Sequence, residues 1–141
     1  MIKKIEHIGI AVNDLEKAEA LFSRLLGTAP YKREEVKGEH VITSFFKVGD
    51  VKIELLAATS PESAVYKFIQ KRGEGMHHIA YETDDIRREM ERLKAEGFQL
   101  INETPKEGAD NKWVAFIHPK SAGGILTELC QERTPQTQDN V

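Results

Sequence analysis

The chain has 141 residues, of which 40% are hydrophobic and 30% are charged, and its net charge is −3. These values are typical of one globular domain, exclude global disorder, and offer no basic surface for nucleic acid or anionic lipid. No apolar run approaches the roughly 18 residues of a membrane helix, and we expect no signal peptide. The single cysteine, Cys130, cannot form an internal disulfide, so we expect a cytoplasmic protein.

The first half of the chain predicts a strand, a helix and further strands. Residues 3–12 alternate as a strand does, with Glu6 on the face that we expect a helix to cover and His7 on the opposite face. The other predicted elements are a helix from Asn13 or Asp14 to Gly27, an irregular strand or loop over 28–39, and a hairpin of strands 40–48 and 51–56.

A helix and a second set of strands follow. Ser60 is the expected cap of that helix, Pro61 its first residue and Gly73 its end. The later elements are a strand over 76–83, a helix from Asp84 or Asp85 to Glu96, and strands around 98–101, 113–117 and 125–130. From Glu132 onward the chain is polar, and we expect it to be disordered.

The second half repeats the plan of the first. The Asn-Asp-Leu sequence before the first helix aligns with the Asp-Asp-Ile sequence before the last, which places His7 on His78. The strand around Glu54 aligns with the strand around Glu128. Each half therefore offers one histidine on its first strand and one glutamate on its last strand.

This repeat predicts the fold class and the domain organisation. Two βαβββ modules related by a pseudo-twofold axis give an α+β fold, with one curved eight-stranded mixed sheet and helices on its convex side. We expect a single domain over residues 1–141. Its parts are module 1 at about 3–59, a linker helix at 60–73, module 2 at about 75–132 and a polar tail at 133–141.

The four repeat-matched side chains indicate a metal site on the concave face. A lone histidine in a strand is usually packed or solvated, and the metal hypothesis depends on the matched set of four. Two imidazoles and two carboxylates suit a divalent ion of the Co, Zn, Ni, Mn or Fe class, with positions left for substrate oxygens. The predicted ligands are His7, Glu54, His78 and Glu128.

Short motifs around these residues carry a family resemblance. They are His7-Ile8-Gly9-Ile10-Ala11-Val12, Ile53-Glu54-Leu55-Leu56, Gly75-Met76-His77-His78-Ile79-Ala80, His118-Pro119-Lys120-Ser121 and Gly124-Ile125-Leu126-Thr127-Glu128-Leu129. Through them the chain resembles the vicinal oxygen chelate (glyoxalase/bleomycin resistance/dioxygenase) superfamily, and within it the methylmalonyl-CoA epimerase family. The resemblance covers about residues 3–132.

The resemblance implies an enzyme with an acyl-CoA substrate. The implied reaction is the metal-dependent interconversion of (2R)- and (2S)-methylmalonyl-CoA, by abstraction of the C2 proton and formation of an enolate that chelates the metal. It places the metal ligands on His7, Glu54, His78 and Glu128, makes Glu128 one catalytic base, and implies a homodimer. No nucleic-acid or membrane partner is expected.

One position departs from the family pattern, and alternative functions stay open. Thr43 occupies the position where part of the family carries a second catalytic glutamate, and a threonine cannot act as a base at neutral pH. The alternative functions are a glyoxalase I-type lactoylglutathione lyase and a non-catalytic ligand-sequestering protein of the same fold. His77 falls on the strand face opposite His78, so we expect it to pack or to hydrogen-bond rather than to bind metal.

Overall fold

The computed structural model describes residues 1–134, which form eight strands and three α-helices around one sheet. The strands are β1 (Ile2–Ala11), β2 (Lys32–Val36), β3 (Val41–Val48), β4 (Val51–Ala58), β5 (Gly75–Thr83), β6 (Lys106–Gly108), β7 (Lys112–Ile117) and β8 (Thr127–Glu132). The helices are α1 (Leu15–Leu26), α2 (Ala64–Arg72) and α3 (Ile86–Ala95). The expectation of disorder from Glu132 onward is wrong at Glu132, which ends β8, and beyond residue 134 it lies outside the described residues.

The two halves of the sheet have matching strand orders, with the first strand of each half at the centre. The order is β2-β3-β4-β1-β5-β8-β7-β6. Strands β1 and β5 form the central antiparallel pair, and each pairs in parallel with the last strand of its own half, β4 or β8. The predicted fold class, two βαβββ modules in one curved mixed sheet, is confirmed.

Helices α1 and α3 cover one face of this sheet. Leu15 and Ala18 of α1 belong to the same buried cluster as Phe46 and Leu55. In the other half, residues Ile86, Met90 and Leu93 of α3 pack against Ala115, Ile117 and Leu129. Each fully buried Leu or Ile side chain stabilises the fold by about 1.5–3 kcal/mol, so these clusters hold the two halves of the sheet in shape.

Helix α2 lies on the other face. Its Val65 packs against Ala11 and Leu56, and Leu56 points away from its neighbour Leu55 because side chains alternate along a strand. Val65 and Leu56 also line the concave cavity. The linker helix therefore forms a wall of the cavity, whereas α1 and α3 support the sheet from behind.

The helix starts follow local capping chemistry. Asp14 caps α1 and accepts a hydrogen bond from the Lys17 N–H, so the second of the two predicted caps is the one used. Helix α2 begins at Ala64, capped by Ser63, and the predicted start at Pro61 is wrong. The Ser60 hydroxyl and carbonyl instead accept hydrogen bonds from the N–H groups of Glu62 and Ser63, which makes residues 60–63 a turn.

One predicted strand is wrong. Residues 98–101 form only an isolated bridge, between Leu100 and Ile117, and the sixth strand is Lys106–Gly108. The segment makes two backbone hydrogen bonds to the end of β7, from Ile101 N–H to Phe116 and from His118 N–H to Gln99. Two bonds do not extend into a regular ladder, and the chain returns to the start of β7 only at β6.

Candidate metal centre

The two predicted histidines lie on the central strand pair. His7 of β1 is opposite Ala80 of β5, and His78 of β5 is opposite Gly9 of β1. A Cβ atom added to Gly9 would lie 2.3 Å from Cε1 of His78, so the His78 ring uses the space that glycine leaves. The small residues therefore allow the two imidazoles to meet above the sheet.

The two predicted glutamates come from the flanking strands. Glu54 of β4 is in register with Gly9, and Glu128 of β8 is in register with Ala80. All four predicted side chains are buried, with relative exposures of 4–6%. The topology brings one imidazole and one carboxylate from each half to the same patch of the concave face.

Three of the four side chains converge on one point. Nε2 of His7 is 3.0 Å from Nε2 of His78 and 3.6 Å from Oε1 of Glu128, and that oxygen is 3.2 Å from Nε2 of His78. Ligand atoms held at about 2.0–2.2 Å from one ion are about 3.0–3.5 Å apart, so the three donors fit a shared divalent ion. Glu54 differs, since its Oε2 is 3.1 Å from Nδ1, on the other edge of the His7 ring.

The charges in this cluster favour a cation. Burial alone would raise the pKa of Glu128, but the nearby His7 and His78 imidazoles outweigh burial and lower it. Burial would likewise lower the pKa of His7, but the carboxylates of Glu128 and Glu54 raise it well above its usual value. Glu128 and His7 therefore each stabilise the charged form of the other.

Glu54 is the carboxylate of this cluster whose ionised form is disfavoured. Burial raises its pKa to about 8, against the effect of His7 and together with repulsion from Glu128 and Glu6. A buried carboxylate with this little compensation is the kind of group that a bound cation stabilises. The chemistry of the donor set and its excess of carboxylates thus fit a divalent metal ion.

A second carboxylate holds the outer nitrogen of His7. Oε1 of Glu6 is 2.7 Å from Nδ1 of His7, and Oε2 of Glu6 is 2.6 Å from Nζ of Lys52. Lys52 also pairs with Oδ2 of Asp110 at 2.6 Å. The prediction that Glu6 faces the helix-covered core is wrong, because the register of β1 against β5 shifts between Ile5 and His7 and the Glu6 carboxylate reaches the cavity.

This carboxylate sets the tautomer of His7. Burial would raise the pKa of Glu6, but hydrogen bonds to His7 and Lys52 outweigh it and lower the pKa to about 2. An ionised carboxylate only accepts hydrogen bonds, so Nδ1 of His7 carries the proton and donates it to Glu6. When a metal ion displaces the second proton of the ring, Nε2 presents its lone pair towards His78 and Glu128, as a metal ligand requires.

His77 plays a comparable part for His78. The two Nδ1 atoms are 2.9 Å apart, and the His77 ring packs edge-on against Phe68. Burial, together with the neighbouring His78, lowers the pKa of His77 to about 4. A neutral His77 can accept a hydrogen bond from Nδ1 of His78 and leave Nε2 of His78 free. His77 packs and hydrogen-bonds as expected, but the prediction that it lies on the strand face opposite His78 is wrong, because both rings line the same cavity.

The contact between Glu6 and His7 leads to the first testable prediction. Glu6→Gln removes the charge that orients and polarises the His7 imidazole, and loss of such an outer partner typically lowers metal affinity by about 10–100-fold. Titration of the metal-free protein with Co²⁺, followed by calorimetry, measures this affinity. Glu35→Gln, at an exposed position of β2, is the control and should leave the affinity unchanged. Equal affinities for the Glu6→Gln variant and the unaltered protein would show that the contact does not tune the site.

The cluster lines a cavity of about 260 Å³ between the two halves. Thr43 is fully buried in its wall, with 1% exposure, at the position that the family resemblance compares with a glutamate. Sequence reasoning did not identify Glu6, Lys52 and Asp110 as neighbours of the site. The signal available for Lys52 was its position two residues before Glu54, on the same face of β4.

The structure also bears on the expectation about membranes. Within residues 1–134, none of the helices has the length and apolar character that a membrane crossing needs.

Comparisons with known proteins point in one direction. The sequence model of the Glyoxalase/Bleomycin resistance protein/Dioxygenase superfamily matches residues 6–116. The chain is 38% identical over 129 residues to the mitochondrial methylmalonyl-CoA epimerase of Homo sapiens, which covers 91% of this chain and 73% of that protein. It is 38% identical over 133 residues to the ethylmalonyl-CoA/methylmalonyl-CoA epimerase of Cereibacter sphaeroides, covering 93% and 99% of the two.

Solved structures give the same result at the level of the backbone. A methylmalonyl-CoA epimerase in complex with methylmalonyl-CoA and NH4+ matches this structure with a TM-score of 0.91 at 30% identity, over 95% of this chain and 97% of that chain. The methylmalonyl-CoA epimerase of Mycobacterium tuberculosis matches with a TM-score of 0.90 at 31% identity, over 98% and 93%.

Proposed function

Because the chain belongs to the glyoxalase/bleomycin resistance protein/dioxygenase superfamily, we propose that it is a metal-dependent epimerase that interconverts (2R)- and (2S)-methylmalonyl-CoA. The observation that carries this proposal is the convergence of Nε2 of His7, Nε2 of His78 and Oε1 of Glu128 at one buried point. The relatives and solved structures that carry the epimerase name support the choice of substrate.

The residues that would hold the ion are His7, His78 and Glu128, with Glu54 as the fourth ligand of the predicted set. Imidazole and carboxylate ligands suit an ion of the Co, Zn, Ni, Mn or Fe class. When bound, a divalent ion supplies Lewis-acid stabilisation of the negative charge that develops on the thioester oxygen, an effect of several kcal/mol. Glu6 and His77 hold the outer nitrogens of the two imidazoles and so keep the inner nitrogens oriented.

Glu128 is the proposed proton carrier on one face of the substrate. Both of its imidazole contacts use Oε1, so Oε2 of the same carboxylate can face the substrate. The C2 proton lies between a thioester and a carboxylate and is weakly acidic, and a positioned carboxylate contributes about 10²–10⁴-fold by accepting it. Burial of the cluster keeps bulk water away from the carbanion that results.

The second proton carrier is a group other than Thr43. Inversion at C2 needs a proton to leave on one face and another to arrive on the opposite face. The Thr43 hydroxyl lines the cavity, but a hydroxyl neither ionises nor accepts a proton to a useful extent near neutral pH. The second carrier is therefore another group that reaches the cavity.

Exchange of the C2 proton tests the proposal. In heavy water, the Co²⁺-loaded protein should incorporate deuterium at C2 of methylmalonyl-CoA and equilibrate the two epimers, as followed by mass spectrometry and chiral analysis. Removal of the metal with a chelator should abolish both effects, and added Co²⁺ should restore them, because the enolate charge is otherwise unstabilised.

Two results would contradict the proposal. One is the absence of deuterium incorporation by the metal-loaded protein. The other is rapid turnover of methylglyoxal with glutathione, which would assign the lyase chemistry of the same superfamily instead. Equal exchange before and after chelation would overturn the metal requirement alone.

A further inference from the structure

A continuous row of charged side chains leads from the second half of the chain to the outer edge of the His7 ring. Oδ2 of Asp110 lies 2.6 Å from Nζ of Lys52, and the same Nζ lies 2.6 Å from Oε2 of Glu6. The other oxygen of the Glu6 carboxylate, Oε1, lies 2.7 Å from Nδ1 of His7. We call these four residues the charge row. Anion and cation alternate along it, so that its contacts are charge-assisted hydrogen bonds.

The charge row is shielded from solvent, unlike another ion pair in the cavity wall. The side chains of Lys52 and Asp110 are 18% and 23% exposed, and those of the two inner residues of the row are below 10%. The pair between Glu39 and Lys106 is 37% and 42% exposed. Ion pairs between exposed side chains contribute little, because water and salt screen both partners. A change of charge at Asp110 should therefore act on its partners in the row with less screening.

Lys52 is the flexible member of the row, and carboxylates on two sides fix it. Its backbone is in register with His7 on the neighbouring parallel strand, but its flexible four-carbon stem does not by itself place Nζ. In the described part of the chain, the carboxylates within 4.0 Å of that atom are those of Glu6 and Asp110. Without the charge of Asp110, the ammonium group would interact with Glu6 alone. It would then draw the Glu6 carboxylate away from its contact with His7.

Asp110 is itself fixed by the first half of the protein. It lies in the 3₁₀ turn Ala109–Asn111 between β6 and β7, and its φ is 60°. Its N–H donates a hydrogen bond to Oε1 of Glu34 at 2.9 Å, and its Oδ1 accepts one from Nζ of Lys32 at 2.6 Å. After glycine, aspartate and asparagine adopt this left-handed conformation most readily. The substitution Asp110→Asn should therefore keep the backbone and remove only the charge.

We propose that Asp110 is a positioning residue of the metal centre, which acts through Lys52 and Glu6 to hold the His7 imidazole towards the ion. Outer partners of metal-binding histidines fix the orientation of the ring and raise its basicity. The second half of the chain then supports a ligand of the first half, in addition to supplying ligands of its own. This inference rests on the metal requirement of the proposed function and is independent of the substrate.

A double-mutant cycle tests this inference. Asp110→Asn should lower the Co²⁺ affinity of the metal-free protein by about threefold or more, as measured by calorimetry, because it weakens the contact of Glu6 with His7. In a Glu6→Gln background the same substitution should have no further effect, since the contact through which it acts is already lost. The matched control is Lys32→Gln, which removes the other ion pair of Asp110, leaves the charge row intact and should not lower the affinity.

The proton on Nδ1 of His7 provides a measurement that needs neither metal nor turnover. Its NMR signal in the metal-free protein reports the strength of the hydrogen bond to Glu6. The signal should move upfield in Asp110→Asn and stay in place in Lys32→Gln. A moved signal in a protein that binds no Co²⁺, or that has no epimerase activity, would sustain the positioning of His7 and reject the proposed function.

Three results would overturn the inference. The first is an unchanged His7 signal in Asp110→Asn. The second is an equal loss of Co²⁺ affinity in Lys32→Gln, which would assign the effect to closure of the cavity wall. The third is a loss that adds in full to that of Glu6→Gln, because Asp110 would then act on the ion by a route that does not include Glu6.

Discussion

Glu128→Gln should lower kcat/KM for epimerisation of methylmalonyl-CoA by at least about 10²-fold. Glutamine keeps the shape of the side chain, but it cannot accept a proton, and the positioned acid–base group that it replaces contributes about 10²–10⁴-fold. It also removes the negative charge that faces both imidazoles, at 3.6 Å from His7 and 3.2 Å from His78. Metal content should therefore fall together with the rate, as measured by elemental analysis of the same preparation.

A surface glutamate provides the control. Glu91→Gln changes an exposed position of α3 by the same atoms and should alter neither the rate nor the metal content. Supplying excess Co²⁺ separates the two roles of Glu128. Full metal occupancy with the rate still depressed would assign it to proton transfer as well as to binding, whereas an unaltered rate in the Glu128→Gln variant would remove it from the mechanism.

Gly9→Ala should disrupt the centre by adding a single methyl group. The new Cβ would lie 2.3 Å from Cε1 and 2.6 Å from Nδ1 of His78, closer than real Cβ contacts allow. The ring cannot move away freely, because its Nε2 already lies 3.0 Å from Nε2 of His7 and the ring also packs edge-on against Phe116. Displacing a reacting group by about 1 Å can cost about 10²-fold in rate, and overpacking costs about 1–3 kcal/mol of stability.

The experiment compares two glycines. Co²⁺ titration, epimerase activity and thermal unfolding are measured for Gly9→Ala and for Gly38→Ala, since no atom lies within 4 Å of the added Cβ at Gly38. Only the first variant should lose metal affinity and activity. Metal binding of normal affinity in Gly9→Ala would mean that the His78 ring is not confined as the structure indicates.

The fold and the placement of the site residues follow from sequence to a large extent. The repeat placed His7 and His78 on equivalent first strands and Glu54 and Glu128 on equivalent last strands, and the structure has them on β1, β5, β4 and β8. This was possible because strand alternation and helix stop signals are local properties. The small residues beside the histidines were also readable, since Gly9 is two positions from His7 and Ala80 two from His78.

Other features depend on how strands pair over long distances. Simple alternation put Glu6 on the wrong face because the register shift between Ile5 and His7 arises from pairing with β5. The orientation of Glu54 towards Nδ1 of His7 is likewise a matter of side-chain packing that no spacing reveals. The strand at Lys106–Gly108 was missed because its pairing is short and follows a segment of 98–101 that has the more typical strand composition.

The contacts of Asp110 also depend on parts of the chain that are distant in sequence. Asp110-Asn111 is an ordinary turn sequence, and both residues have positive φ, 60° and 55°. The sequence does not reveal that the sheet curves enough for Asp110 to reach Lys32 and Lys52 of the other half. Curvature accumulates over eight strands and cannot be read from any one of them.

The position of His7 and His78 on opposite strands of the central pair has a consequence for the whole fold. An ion shared by these imidazoles would act as a cross-link between the two halves of the protein, since neither half contains more than one of them. Its binding free energy would then add to the hydrogen bonds between β1 and β5, and the free energy of unfolding would increase with the concentration of the metal ion. Dissociation of the ion and separation of β1 from β5 would then be thermodynamically coupled.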